Sequence, residues 1–139
     1  PYRRQRQMCI RDSDNTTLTD WWENGASEKE KATAAAYLHL TSCKPTAKEV
    51  AAVKTAAART ALLRAALGSV ADRAIIPMYD WLGLGAEAHL NTPGKLGGNW
   101  AWRAKTGFDT KALAAQIKAE CAVYCRCNAD VQNVKELAI

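Results

Sequence analysis

The chain of 139 residues has no apolar run near the ~20 residues that a bilayer-spanning helix requires, so no transmembrane helix is expected. It has no Cys-x-x-Cys pair. Cys9 and Cys43 stand alone, and Cys121, Cys125 and Cys127 cluster with neither His39 nor His89 nearby in sequence. No metal site is expected from that pattern; free thiols of a cytosolic protein are. Met8 to Ile10 is too short for the apolar region of a signal peptide. Internal repeats are lacking, as is any low-complexity tract beyond a bias to alanine.

Strands are scarce too. Ala74 to Met78 is the only convincing one, short, apolar and β-branched, as in a buried parallel strand. A buried strand needs neighbours on both sides, and this chain offers at most one more. A larger sheet is therefore expected, of which the chain supplies part.

The formal charge of +5 suggests a nucleic-acid partner at first sight. Four arginines (Arg3, Arg4, Arg6 and Arg11) against Asp12 place +3 of it in residues 1–13, leaving +2 for the remainder. That remainder is an ordinary solvated surface, and no nucleic acid or membrane partner is expected.

Helix signals are plentiful. Ser27 and Glu30 form a capping box, in which the Ser side chain accepts from the backbone three residues on and the Glu reaches back. The helix is expected from about Glu28 to Leu40. Thr46 and Glu49 repeat the device, opening a helix with apolar positions at Val50, Val53, Ala57, Ala61 and Leu62 that stops at Gly68. Arg59 and Arg64 on it read as solvated. Asp109 is expected to cap a last helix, from about Thr110 to Tyr124, with Leu113, Ile117 and Tyr124 marking its apolar face and Cys121 between them. Asn128 to Ile139 is weakly patterned. Trp21 and Trp22 read as packing residues.

The chain is organised around Ile75 to Arg103, which holds five of the eight glycines, two of the four prolines and three of the five tryptophans. Glycine lets a backbone turn and approach a ligand, proline stiffens it, and tryptophan offers apolar area with one N–H donor. A ligand-facing loop needs this combination more than a core segment does.

Within it, Pro77, Asp80, Leu84-Gly85-Ala86-Glu87-Ala88, Asn91-Thr92-Pro93-Gly94 and Gly98-Asn99-Trp100-Ala101-Trp102-Arg103 stand in order. This set resembles the C-terminal active-site segment of the 4-α-glucanotransferases (amylomaltases or disproportionating enzymes), glycoside hydrolase family seventy-seven. Upstream, Asp14-Asn15-Thr16-Thr17 followed by Trp21-Trp22 is similar to a second motif of that family. The resemblance runs from Asp14 to about Tyr124. It departs from the family at Ser13 (usually His), Asp20 (Gly), Tyr79 (Gln) and His89-Leu90 (Arg-Met).

The resemblance implies an α/β fold: the C-terminal portion of a TIM (β/α)8 barrel, mostly helical here with one or two short parallel strands. A complete barrel takes ~250 residues, so the chain is expected to be a C-terminal fragment. Residues 1–13 are expected to be a non-native, disordered leader displacing the upstream barrel, with a natural basic arm as the alternative. Residues 14–139 would then belong to the catalytic barrel.

It further implies retaining transfer of α-1,4-glucan segments to the 4-hydroxyl of glucose or another glucan. Such enzymes use a carboxylate nucleophile and a carboxylic acid, through an oxocarbenium-like transition state. A third carboxylate, gripping sugar hydroxyls more tightly as the ring flattens, lowers the barrier by differential binding. Asp14 falls on that position. Asn91, Pro93, Gly94, Asn99 and Trp100 are implied to meet the glucan, although Trp100 and Trp102 read equally well as loop anchors. Asp80 and Glu87 read as structural hydrogen-bonders and His89 as a surface or satisfied residue. No segment resembles the nucleophile or acid/base motifs, so the chain alone is expected to be inactive. No cofactor is implied. The partners are α-1,4-glucans, maltooligosaccharides and glucose, in the cytoplasm. Rival readings are a non-catalytic glucan-binding module and a basic helical nucleic-acid binder.

Overall fold

The computed structural model describes residues 7–9 and 14–127, in two compact units, Pro1–Ala104 and Lys105–Ile139. The weakly patterned tail, 128–139, lies outside the described residues, as does most of the expected leader.

The first unit begins with strand β1, Gln7–Cys9, paired in parallel with β2, Arg73–Ile75, in the register Gln7↔Arg73, Met8↔Ala74, Cys9↔Ile75. The described part of residues 1–13 is thus a strand, where disorder is expected from the sequence. Parallel pairing demands a long crossover, and four helices supply it. The strand expected at Ala74–Met78 ends early. Pro77 has no N–H for a ladder and instead precedes a short helix, α5, Met78–Leu82. That turn buries Tyr79 and Asp80, which a continuing strand would send to opposite faces.

The crossover starts with α1, Leu18–Asp20, which widens into a π-turn over Trp21–Gly25, closed by the Ala26 N–H on the Trp21 carbonyl at 2.7 Å. Helix α2, Glu28–Tyr37, has its capping box in place: the Ser27 side chain accepts from the Glu30 N–H, and Glu30 accepts from the Ser27 N–H. It ends before Leu40 because His39 turns left-handed (φ +56°). The Leu40 N–H then reaches the Ala35 carbonyl and the His39 N–H the Ala36 carbonyl, a Schellman end.

The single helix expected from Thr46 to Gly68 is two, α3 Ala47–Ala51 and α4 Thr55–Leu67, with the Thr46–Glu49 box intact and Gly68 at the end. No glycine or proline marks the break. Val53 instead packs against the core, and tertiary packing overrides the helix propensity of the alanines around it.

The cluster that Val53 joins consists of Trp22, Ala35 and Ala58, with Trp21, Ala34, Leu40 and Val53 against it; Leu18, Val50, Leu63, Leu67 and Tyr79 are buried as well. Two alanines with no exposed surface bring α2 and α4 close enough to cover Trp22. Trp21 lies beside Trp22 with ring centroids 6.1 Å apart, so both tryptophans pack, as expected.

The second unit holds α6, Lys111–Val123. Thr110 caps it, not Asp109: the Thr110 hydroxyl accepts from the Leu113 N–H at 3.1 Å. Leu113, Ile117 and Cys121 form a half-buried stripe. Among the described residues no helix is long and apolar enough to cross a membrane.

Candidate active site

Asp14 lies just ahead of α1, and the start of that helix is tied down from several sides. The Thr17 side chain accepts from the Asp20 N–H at 3.2 Å, and Thr17 is 1% exposed. The Leu18 N–H, one of the donors a helix start leaves without an intrahelical partner, goes to Asp80 Oδ1 at 2.8 Å. Asp80 is fully buried on α5, 62 positions away. It is structural, as expected, but it bonds across the unit instead of within its own loop.

Beside this, the Asp20 carboxylate accepts from the Thr16 hydroxyl and from Asn24 Nδ2, the latter at 2.8 Å. The Thr16 bond, then the Asn24 bond, hold the Asp20 carboxyl below its ordinary value of 3.8 against the opposing effect of burial, with nearby His89 adding the smallest lowering. His89 is half-buried, with a buried Nε2 that has no hydrogen-bond partner among the described residues, so it is neither the surface residue nor the satisfied one expected.

The other half of the site descends from α5. Gly83, left-handed at φ +69°, ends that helix. The Arg59 guanidinium packs on it so tightly that a Cβ there would fall 1.9 Å from Nη1. Arg59, expected in solvent, therefore braces α5 from α4. A helix-period pattern cannot distinguish such an arginine from a solvated one. Glu87 then accepts the Gly85 N–H at 3.0 Å, inside the turn Ala86–Ala88.

Asn91 follows, and its Nδ2 donates to Asp14 Oδ1 at 2.5 Å, across 77 positions of sequence. The two residues singled out first for sugar contact are thus hydrogen-bonded neighbours. The loop beyond Asn91 closes on itself. The Trp100 N–H meets the Leu90 carbonyl at 2.6 Å. Asn99 accepts the Thr92 N–H and donates to the Lys95 carbonyl, each at 2.9 Å. Its carboxamide thus shapes the loop. Pro93 and Gly94 lie exposed on the loop. Gly94 (φ +79°) has open space where a Cβ would be, so backbone conformation explains this glycine and crowding does not.

The two tryptophans differ in exposure. Trp102 is half-buried and meets the buried Tyr79 edge-on, centroids 5.9 Å apart. Trp100 is 56% exposed on a left-handed backbone (φ +61°). Arg103 Nη1 donates to the Trp100 and Trp102 carbonyls at 2.8 Å each, fixing the strained stretch. Among the described residues no three His, Cys, Asp or Glu side chains are grouped to hold a metal ion. A carboxylate and a carboxamide in contact, overlooked by a loop with an exposed indole, can bind neutral polyhydroxyl compounds.

Residues 1–109 match the family model described as 4-alpha-glucanotransferase. The match therefore starts ahead of Asp14 and includes residues 1–13. The chain is 35% identical over 114 residues to the 4-alpha-glucanotransferase of Clostridium butyricum, covering 82% of this chain and 21% of that protein. With the chloroplastic/amyloplastic 4-alpha-glucanotransferase DPE1 of Arabidopsis thaliana the identity is 38% over 98 residues, 69% of this chain and 15% of that one. In fold it is similar to the amylomaltase of Streptococcus agalactiae solved in complex with acarbose, at TM-score 0.70 and 26% identity, covering 88% of this chain and 22% of that chain. The chain thus spans about a fifth of the length of these relatives. On the family match and these likenesses together, the chain belongs to the 4-alpha-glucanotransferase family.

Proposed function

We propose that this chain supplies the Asp14 and Asn91 side of a glucan-transferring active site, within the C-terminal part of a TIM barrel that residues 14–139 help to build. The observation that carries this reading is the hydrogen bond from Asn91 to Asp14 at 2.5 Å. It joins two segments that each bear a motif of the family.

In this reading Asp14 is the carboxylate that binds sugar hydroxyls most tightly when the ring is flattened, and so favours the transition state over the ground state. Asn91 orients that carboxylate and offers its own amide to the same sugar. Trp100 stacks on a neighbouring ring, and Pro93, Gly94 and Asn99 hold the loop that presents it. The nucleophile and the acid/base are not among these residues, so transfer of an α-1,4-glucan to the 4-hydroxyl of another sugar needs groups beyond them. A soluble cytosolic setting belongs to the same reading, although plant relatives carry plastid names.

Two measurements test it. Maltotriose incubated with the purified chain should release no glucose; release above a blank refutes the inactive-fragment part. In a labelled sample titrated with acarbose, the Asn91 side-chain amide and Trp100 indole signals should shift first. Shifts confined to other residues would refute the site.

The exposed Trp100 ring also favours a second reading, a module that holds glucan by stacking without chemistry. Tight calorimetric binding of maltooligosaccharides by this chain, with no turnover, would select it.

A further inference from the structure

We propose that Cys121 and Cys127 are an oxidisable pair that closes into an intrachain disulfide, stapling the end of α6 to the segment after it. The geometry of the helix end carries the inference. After Tyr124 the chain turns left-handed at Cys125 (φ +53°). The Cys125 N–H then bonds to the Ala122 carbonyl at 3.1 Å and the Arg126 N–H to the Cys121 carbonyl at 2.8 Å. These are the two closing bonds of a Schellman end. They fold the backbone back over the last turn and hold the Arg126 amide, one residue before Cys127, on the Cys121 carbonyl.

Burial sorts the three thiols in the same way. Cys121 and Cys127 are half-buried and Cys125 is exposed, all three unbridged. The Cys121 thiol is pushed up, first by burial, then by the neighbouring Cys127 and Glu120, with Arg126 opposing. Six residues from one to the other make a short loop with a low closure cost.

The chemistry balances with a low-molecular-weight disulfide, such as oxidised glutathione, as oxidant. The Cys127 thiolate attacks one glutathione sulfur and expels the first glutathione thiolate. Cys121, whose burial disfavours the thiolate, then attacks the Cys127 sulfur. The protein S–S bond forms and the second glutathione leaves. Two electrons pass to the glutathione disulfide, and the two cysteine protons end on the two released glutathiones.

The test is a non-reducing tryptic map of the full chain after equilibration with oxidised glutathione. Trypsin cuts after Lys118, Arg126 and Lys135, so the disulfide joins peptides 119–126 and 127–135. Fragmentation of that joined species should place the link on Cys121. It should persist in Cys125→Ser and be lost in both Cys121→Ser and Cys127→Ser, with circular dichroism confirming that each variant keeps its helices. The wild-type map decides alone if a variant misfolds. A link from Cys125 or Cys43, or glutathione adducts without a protein disulfide, overturns the proposal.

Discussion

Asp80 shows how much one buried side chain can decide. Its carboxylate takes the Leu18 N–H, and that bond fixes where α1 begins and where Asp14, four residues earlier, is held. Asp80→Ala leaves that buried N–H without its acceptor and should cost about 1–3 kcal/mol in urea unfolding, whereas Asp80→Asn, which keeps an acceptor, should cost less. Asp20 offers a pH test. Its folded-state value is depressed, chiefly by the Thr16 hydroxyl. The resulting stability is therefore present above 3.8 and is lost as pH falls through the depressed value. Thr16→Val should destabilise the chain near about pH 6 and progressively less as pH falls through the depressed Asp20 value, with the Asp20 carboxyl resonance titrating at higher pH than in wild type.

Among the elements, helix beginnings follow the sequence more closely than helix ends. Both capping boxes form where Ser27, Glu30, Thr46 and Glu49 stand, because a cap is a local contract between residues three apart. The Schellman ends at His39 and Cys125 carry no glycine and so leave no signal. The α3–α4 break is equally silent, since Val53 obeys the core and not its neighbours. Cys125→Gly and His39→Gly should each stabilise by about 0.5–1 kcal/mol, by relieving a left-handed backbone that costs a side chain roughly 1–2 kcal/mol. Thermal melts of the single variants would check this. A loss of stability in both would mean that the side chains contribute more than the turn costs.

At the scale of the larger unit, one aromatic fills the cluster that joins the helices after α1. Trp22 is 5% exposed and is the one large side chain among the three buried residues of its cluster, the other two being Ala35 and Ala58. Trp22→Ala should cost about 3–5 kcal/mol, a large part of the ~5–15 kcal/mol that holds a typical domain together. Loss of a cooperative urea transition is the expected readout. The candidate site was legible at its two poles, Asp14 and Asn91, because their motifs are read directly from sequence order. Its supports were not. Arg59 on Gly83 and Trp102 against Tyr79 depend on long-range approach, which no local pattern encodes.

The bond between the Trp100 N–H and the Leu90 carbonyl makes a drawstring at the neck of the loop. Whatever happens at the tip, between Lys95 and Gly98, is mechanically isolated from what hangs at the neck, Asn91 on one side and the Trp100 ring on the other. Residues can be added or trimmed there to change how far the loop reaches without re-siting either side chain.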